Sequence, residues 1–365
     1  MIIAHFLHLF RHFKDTAMCV ADKLNLRRAI THRIKQSSQK QLVTLSSMKD
    51  SQKVLEYQVL KGYVEAYSKD SPPRLLAFGD SVYLRAATDD QAPQPLAEIL
   101  GAYYKNSMCL VSGSGYHLGM FEKFSEVLAT LRTRPRIAIL PINLRSFSPT
   151  WDLNPLYQFY SEIELLSSFD FKRPDYRLHD TKPSLESEGR LVPLELDGEE
   201  TITLGDFLDI LGESPAIDSE AWKDRLKTIF QYHYMYSMYS EHRKLKSLKQ
   251  IIRLLNEHGV AVYCYITPIN YEAGIEYCGD IFINVVKKNI SIIQREVKYT
   301  LSAVSTDNDT FMFRFDDFAF RFTRNVFFTL HNATEHLRFE GRDFIAQQIV
   351  EAERALIKNG AVSYE

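Results

Sequence analysis

Four residues of the sequence have the types and positions that acyl-transfer chemistry needs. Ser81, Gly113 and Asn143 each follow closely on a short apolar run, and His336 lies much later, just before an apolar helical pattern. A serine hydroxyl becomes a nucleophile when a base such as histidine lies within hydrogen-bond reach. The oxyanion that then forms needs fixed donors, which a glycine N–H and an asparagine amide can supply.

Five short apolar runs predict the strands that would position these residues. Each run is rich in Ile, Val, Leu, Phe or Tyr, and four of them end in turn-type residues such as Gly, Pro, Asn or Ser. The predicted strands are Leu75–Phe78, Ser107–Val111, Arg136–Pro141, Val260–Thr267 and Phe311–Phe315.

Helical patterns lie between the predicted strands and beside them. They cover Lys49–Ser68, Leu96–Tyr104, Leu118–Arg132, Leu226–His258, Tyr271–Leu301 and Gly341–Asn359. Strands that alternate with helices predict a three-layer α/β fold of the flavodoxin-like kind, with a parallel five-stranded sheet flanked by helices. Ligands bind such sheets at the carboxyl ends of the strands. We therefore expect Ser81, Gly113, Asn143 and His336 to meet at that edge.

A second asparagine follows the fourth predicted strand in the same local sequence. The third strand ends in Leu140-Pro141-Ile142-Asn143 and the fourth in Thr267-Pro268-Ile269-Asn270. An asparagine in this position can contribute to a site, or it can cap a helix with its side-chain oxygen. The cap suits Asn270 better because a long helical pattern follows it, whereas Asn143 suits the site better.

Three of these segments resemble sequence blocks of the SGNH/GDSL hydrolase superfamily. Phe78-Gly79-Asp80-Ser81 resembles the first block, which implies that Ser81 is the nucleophile. Val111-Ser112-Gly113 resembles the second block, which implies that the Gly113 N–H joins the Ser81 N–H in the oxyanion hole. Asn143 matches the asparagine of the third block, which implies that its side chain is the third donor.

The segment around His336 resembles the fifth block of the same superfamily and implies that His336 is the base. Gly341 and Phe344-Ile345-Ala346 also match, but the block's aspartate position holds Ala333. A base histidine needs an orienting partner on its other ring nitrogen, and Glu335 is the nearest candidate acid. Other local candidates are Asn332, Asp316 and Asp317. A backbone carbonyl in this place would leave a Ser–His dyad.

The resemblance covers residues 72–148 and 260–356 and implies an enzyme. The sequence is most similar in pattern to SGNH-like acyl esterases and acyltransferases of bacterial polysaccharide gene clusters. The predicted function is a serine-dependent O-acyl (acetyl) esterase or acyltransferase. It would act on a carbohydrate or other polar acceptor through an acyl-Ser81 intermediate. The alternative is a catalytically degenerate binding or assembly protein for surface polysaccharide on the same fold.

The order of patterns along the chain divides it into four segments. Residues 1–45 form a basic amphipathic segment, 46–150 and 252–365 form the two parts of the core, and 151–251 form an insertion. The insertion is predicted as a mostly helical cap between the third and fourth strands, and residues 151–221 carry seventeen acidic side chains against five basic ones.

The first 40 residues are strongly basic and lack the run of about 18 apolar residues that spans a bilayer. They contain eight Lys and Arg against two Asp, an excess of six positive charges. This segment is predicted as a basic amphipathic helix, which could lie on a membrane surface or pack against the body of the protein or a partner. No cleavage site of a signal peptide follows. We therefore expect a cytoplasmic protein, with peripheral membrane contact as an open alternative.

Overall composition excludes several other classes of protein. The chain has 365 residues with 44 basic and 46 acidic side chains, so it lacks the basic excess of a nucleic-acid-binding protein. Four cysteines are too few for a disulfide scaffold. The sequence contains neither a Cys-x-x-Cys or His-Glu-x-x-His metal motif nor a phosphate-binding glycine loop. We predict no metal ion and no cofactor.

Aromatic residues and two histidines cluster near the end of the predicted insertion. Tyr232, Tyr236 and Tyr239 are spaced to share one helix face. They could form a wall for a sugar ring or an acyl chain, or they could serve helix packing, which we favour. His233 and His242 are nine residues apart, too far along a helix to bind one metal ion.

Overall fold

The computed structural model describes the chain from residue 59 onward, with gaps. The described residues are 59, 61–87, 89–90, 92–113, 115–148, 150–151, 193–194, 196, 202–304 and 312–358. The predicted N-terminal segment, the first part of the predicted helix Lys49–Ser68 and residues 152–192 of the predicted insertion lie outside them.

Five parallel strands form the central sheet, as predicted. In chain order, with the strands of a separate short hairpin included, the strands are β1 (Leu75–Gly79), β2 (Met108–Ser112), β3 (Ile137–Ile142), β4 (Pro193–Leu194), β5 (Ile202–Thr203), β6 (Ala261–Ile266) and β7 (Phe313–Asp317). The sheet order is β2–β1–β3–β6–β7, and β4 pairs with β5 in the hairpin. The carboxyl ends of β1, β2 and β3 therefore share one edge of the sheet.

Helices cover both faces of this sheet. Those that the structure describes in full are α1 (Ser81–Leu84), α2 (Leu96–Tyr104), α3 (Leu118–Thr130), α4 (Leu204–Gly212), α5 (Glu220–Tyr234), α6 (Arg243–Glu257), α7 (Tyr271–Cys278), α8 (Ile281–Val304) and α9 (Phe339–Leu356). Residues 61–67 are also helical. In the part of the chain that the structure describes, none of the helices has the length and apolar character to cross a bilayer.

Side chains of β1 alternate between two hydrophobic cores, one on each face of the sheet. Leu76 and Phe78 enter the core that contains α3, α6 and α8, whereas Leu75 and Ala77 enter the core of α2 and α9. This alternation follows from the two-residue period of a strand. The result is a three-layer arrangement, which confirms the predicted α/β class.

The predicted helix Leu226–His258 is wrong, because the chain leaves the helix between α5 and α6. The buried Asn289 of α8 forms hydrogen bonds with backbone groups of that segment. Its amide donates to the Tyr236 carbonyl at 2.8 Å and accepts from the Met238 N–H at 3.2 Å. Buried backbone groups need such partners when no helix supplies them.

A similar break divides the predicted helix Tyr271–Leu301. Gly279 adopts a φ of 74° between α7 and α8, a left-handed conformation in which glycine is favoured. Its N–H donates to the Ile275 carbonyl at 2.8 Å and closes the end of α7.

Candidate active site

Ser81 begins α1 directly after Asp80, which follows strand β1. Asp80 caps this short helix by accepting a hydrogen bond from the Val82 N–H at 2.8 Å, which is a common role of aspartate. The strand therefore turns abruptly into a helix at Ser81 and presents its side chain at the carboxyl edge of the sheet. Its Oγ lies 3.0 Å from Nε2 of His336.

His336 is held in a loop that is tied back on itself before α9. The His336 carbonyl accepts from the Phe328 N–H at 3.0 Å, and the Arg338 N–H donates to the Val326 carbonyl at 2.7 Å. The Phe328 ring lies against the imidazole, with 5.4 Å between the ring centroids. These contacts fix both the position and the tilt of the imidazole.

Thr334 occupies the other side of the imidazole and was not anticipated from the sequence. Its Oγ1 lies 3.1 Å from Nδ1 of His336 and also accepts from the His336 N–H at 3.1 Å. When Nε2 accepts the serine proton, Nδ1 carries a hydrogen and donates it to this hydroxyl. The sequence feature that could have predicted this contact is a threonine two residues before the histidine, because Ser and Thr side chains form local turns of this kind.

Glu335, the nearest candidate acid from the sequence, does not occupy that position in the structure. Its wholly buried carboxylate accepts a hydrogen bond from the Tyr234 hydroxyl and has Oε2 3.6 Å from Nη1 of Arg145. Adjacent residues of a non-helical segment direct their side chains to different sides. Thr334 therefore contacts Nδ1 of His336, and Glu335 belongs to a separate buried cluster.

The other candidate partners of His336 have contacts of their own. Asp316 accepts from the Tyr263 hydroxyl at 2.9 Å and pairs with Arg314. Asp317 accepts from the Ala319 N–H at 3.0 Å. The Asn332 carbonyl accepts from the Asn270 amide at 3.3 Å.

Asn143 lies at the end of β3 with its side-chain amide fixed at both ends. Its Oδ1 accepts from the Arg145 N–H at 3.0 Å, and its Nδ2 donates to Oδ2 of Asp80 at 2.8 Å. These two bonds define which end of the amide carries the nitrogen. An amide NH₂ has two hydrogens, and the bond to Asp80 uses one of them.

Gly113 follows β2, the neighbour of β1. The preceding Ser112 donates its hydroxyl to the Asp80 carbonyl at 2.9 Å, which ties this loop to the residue before Ser81. A Cβ at position 113 would overlap the ring of Tyr116. Any larger residue here would displace the Tyr116 ring. The Gly113 N–H lies at the same sheet edge as the N–H of Ser81.

Asn270 has the capping role that its sequence context favours. Its Oδ1 accepts from the Ala273 N–H at 3.4 Å, at the start of α7. Its Nδ2 donates to carbonyls in the loop that leads to His336, those of Thr329, Leu330 and Asn332, at 3.0 to 3.3 Å. Asn270 therefore holds the histidine loop from behind.

The charges around the site favour a neutral imidazole. Burial, together with the positive charges of Arg85 and Arg145, lowers the pKa of His336 to about 3. Burial raises the pKa of the Asp80 carboxyl, although the hydrogen bond from Asn143 acts in the opposite direction. At neutral pH His336 is thus in the form that accepts a proton, but it is a weak base.

The tyrosines and histidines near the end of α5 have structural contacts. Tyr232 packs on Phe207 with 5.6 Å between ring centroids, and Tyr236 donates to the Leu144 carbonyl at 2.7 Å. Tyr239 is 58% exposed and lies beyond the end of α5. The expectation that Tyr232, Tyr236 and Tyr239 share one helix face is therefore wrong, because α5 ends at Tyr234.

The two histidines of this region also serve packing. His242 has Nε2 3.1 Å from the Phe147 carbonyl, and His233 packs edge-on against Phe207. Among the residues that the structure describes, no group of three or more His, Cys, Asp or Glu side chains could hold a metal ion.

Comparison of the sequence with known protein families found no match, and comparison with curated proteins found none either. The function of the site is therefore inferred from its residues and their geometry.

Proposed function

We propose that this protein is a serine-dependent O-acyl esterase or acyltransferase of the SGNH/GDSL type, acting on a carbohydrate or other polar acceptor. The observation that carries the proposal is the 3.0 Å contact between Ser81 Oγ and His336 Nε2, two residues 255 positions apart in the chain. A nucleophile and a base within hydrogen-bond reach are the basic requirement of covalent acyl transfer. The resemblance of four separate segments to SGNH blocks supports the same assignment.

In the first half of the reaction, Ser81 Oγ attacks the acyl carbonyl carbon and its proton passes to Nε2 of His336. The imidazolium that forms keeps its Nδ1–H directed at the Thr334 hydroxyl, 3.1 Å away. When the tetrahedral intermediate collapses, the bond to the alcohol oxygen breaks. His336 then returns the proton to that oxygen, leaving an acyl-Ser81 ester.

Three donors at this edge of the sheet would stabilise the oxyanion of the tetrahedral intermediate. They are the N–H of Ser81, which as the first helical residue has no acceptor within α1, the N–H of Gly113 and the second amide hydrogen of Asn143. Donors fixed before the reaction stabilise the developing charge without reorganising during it. Asp80 assists by holding the Asn143 amide at 2.8 Å.

The second half repeats these steps with a new nucleophile. Water, or a hydroxyl of the acceptor, gives its proton to Nε2 and attacks the acyl-Ser81 carbonyl, and collapse returns the proton to Ser81 Oγ. Water yields hydrolysis, and a sugar hydroxyl yields acyl transfer. The same residues serve both reactions.

The site departs from the usual SGNH pattern in one respect that bears on its rate. Ala333 stands where an aspartate is expected, and the neutral Thr334 hydroxyl contacts Nδ1 instead. A hydroxyl fixes the tautomer of the imidazole but gives the imidazolium less electrostatic support than a carboxylate would. We expect a slow enzyme that works through a Ser81–His336 dyad.

Labelling with a fluorophosphonate probe tests whether Ser81 is an activated nucleophile. The native protein is expected to be labelled, because the probe phosphonylates serines whose proton a nearby base accepts. The Ser81→Ala variant is expected to show none of this labelling. Gel fluorescence and mass spectrometry of the labelled peptide give the measurement.

A matched control is Ser291→Ala on α8, whose hydroxyl donates to the Lys287 carbonyl on the exposed side of the helix. This variant is expected to be labelled as fully as the native protein. Equal labelling of the Ser81→Ala variant would refute the assignment of the nucleophile. Absence of labelling in all three proteins would favour the alternative of a binding protein.

Replacing Asn143 by alanine is expected to lower kcat for an acyl ester by about 10²–10³-fold, the usual effect of losing one oxyanion donor. KM should change little. The melting temperature should fall by about a few degrees, because the variant loses the bonds to the Arg145 N–H and to Asp80 but keeps the backbone bonds of β3. Steady-state kinetics with an aryl acetate and thermal unfolding measure both effects.

The control for Asn143 is Ser146→Ala, which removes the 2.7 Å hydrogen bond to the Asn143 carbonyl but leaves the amide in place. Its kcat should stay within a few-fold of native. Equal losses in both variants would mean that the loop, and not the amide donor, determines the rate.

A further inference from the structure

A buried charged cluster lies beside the site and takes no part in the steps above. It consists of Arg145, two residues after Asn143, Glu335, directly before His336, and Tyr234 at the end of α5. Glu335 accepts from the Tyr234 hydroxyl and has Oε2 3.6 Å from Nη1 of Arg145. The side chain of Glu335 is 1% exposed and that of Arg145 is 18% exposed.

Arg145 links the loop of Asn143 to the loop of His336. Its Nη1 donates to the Ala333 carbonyl at 3.1 Å, across 188 residues of sequence. Its guanidinium carbon also lies over the Trp151 ring, 5.2 Å from the ring centroid. Arg145 therefore holds Ala333 by its backbone carbonyl, and Ala333 is at the position where the superfamily has an aspartate.

Stability alone does not explain why the ion pair of Arg145 and Glu335 lies here. Moving two opposite charges out of water costs free energy, and their attraction often only balances that cost. A buried ion pair is therefore weak evidence for stabilisation. Arg145 and Glu335 each adjoin a residue of the proposed machinery. Neither has a described contact with Ser81 Oγ, so a role in this reaction would be indirect.

We propose that Arg145, with Glu335 as its counter-charge, is a positioning residue that fixes the His336 loop and sets the electrostatic potential at the imidazole. The inference rests on the proposed function for its effect on turnover. Its effect on the ring itself can be measured whether or not the protein hydrolyses esters.

The sign of the effect follows from the groups around the imidazole. They are Ser81 at Nε2, Thr334 at Nδ1, the Phe328 ring against one face, the positive charges of Arg85 and Arg145, and the carboxyls of Asp80 and Glu335, whose charges also act on Arg145. A nearby positive charge disfavours protonation of the ring. Removal of Arg145 should therefore make the imidazole more basic.

Neighbouring Glu335 should not reverse this effect. Burial raises the pKa of its carboxyl, against the influence of the Arg145 charge. Without Arg145 the buried carboxyl has lost its cationic partner and is more readily protonated. In the acid range where His336 titrates, the Glu335 carboxyl is therefore neutral, and the charges that act on the ring are those of Arg85 and Arg145. Glu335→Gln should thus move the titration little.

The test compares three variants, each in the Ser81→Ala background, by NMR titration of the His336 imidazole. Arg145→Met should raise the pH of half-protonation by roughly one pH unit. Arg145→Lys keeps the charge and should leave the titration near that of the background protein. The double variant Arg145→Met/Glu335→Gln should behave as Arg145→Met, and it replaces that variant if a lone buried carboxyl prevents folding.

Turnover in the Ser81 form gives a second measurement with a different pattern. Arg145→Lys loses the planar fork that reaches both the Ala333 carbonyl and Glu335, so kcat should fall about tenfold without movement of the acid limb of the pH profile. Arg145→Met should lower kcat and also move that limb to higher pH. A purely structural role would lower kcat in both variants and leave the acid limb of both pH profiles in place.

The NMR titration and the kinetics fail in distinguishable ways. An imidazole titration that is the same in the Ser81→Ala background and in its Arg145→Met variant overturns the inference, as does a shift in Arg145→Lys equal to that in Arg145→Met. If the expected titration shifts appear but none of the proteins hydrolyses esters, the electrostatic role of Arg145 stands and the proposed esterase function fails.

Discussion

Replacing Ser81 by alanine is expected to reduce ester hydrolysis by about 10⁴–10⁶-fold, to the level that binding and the oxyanion donors provide alone. The Oγ of Ser81 is the atom that would form the acyl ester, and its described partner is the imidazole of His336, 3.0 Å away. Loss of one oxygen removes the nucleophile completely. The measurement is kcat/KM for an aryl acetate, with a variant preparation that is free of native protein.

The fold should survive this substitution. Asp80 caps α1 through the Val82 N–H, and the Ser112 hydroxyl binds the Asp80 carbonyl, and neither bond involves the Ser81 side chain. The melting temperature is therefore expected to stay within a few degrees of native. Activity of Ser81→Ala within a few-fold of native would contradict the assigned nucleophile, whereas a collapsed melting transition would require Ser81→Cys as the comparison.

The strands could be predicted because each is a short apolar run that ends in turn-forming residues. Predicted Leu75–Phe78 is observed as Leu75–Gly79, and predicted Val260–Thr267 as Ala261–Ile266. Every residue of the inner strands β1, β3 and β6 is buried, so each of them is a continuous apolar run in the sequence. Parallel pairing then brings Ser81 and Asn143 to one edge.

The break between α5 and α6 could not be predicted from local sequence. Residues 235–242 contain no proline or glycine, and their apolar spacing continues the helical pattern. The chain leaves the helix because the distant Asn289 and the carbonyl of Leu144 offer hydrogen bonds to the segment. Contacts between residues far apart in sequence override local propensity in this way.

The partner of the imidazole was missed for a related reason. The sequence reveals that position 333 is Ala333 and not an aspartate. It does not predict the direction of each side chain in an irregular loop. The Glu335 side chain is buried against Arg145 and Tyr234, whereas the short Thr334 side chain forms its hydrogen bond within its own loop, to His336. Such assignments depend on tertiary contacts that local sequence does not encode.

Replacing His336 by alanine is expected to be as damaging as Ser81→Ala, about 10⁴–10⁶-fold in kcat, because nucleophile and base act as one unit. The double variant Ser81→Ala/His336→Ala should be no slower than either single variant. Thr334→Val, which keeps the shape but removes the hydroxyl, should cost about tenfold or less, as expected for one neutral hydrogen bond. Glu335→Gln should likewise cost far less than His336→Ala. Steady-state kinetics of these five variants and of the native protein give the comparison.

The pH profile of the native protein provides the sign test for the same base. General-base catalysis needs the neutral imidazole, so activity falls as the pH drops through the pKa of His336. Since burial and the charges of Arg85 and Arg145 lower that pKa to about 3, kcat/KM should stay level from neutral pH well below the ordinary histidine value. An acid limb near the ordinary value would mean that the imidazole is solvated in the free protein. A loss in Glu335→Gln as large as that in His336→Ala would mean that the carboxylate reaches the ring during the reaction, and the dyad would have to be replaced by a triad.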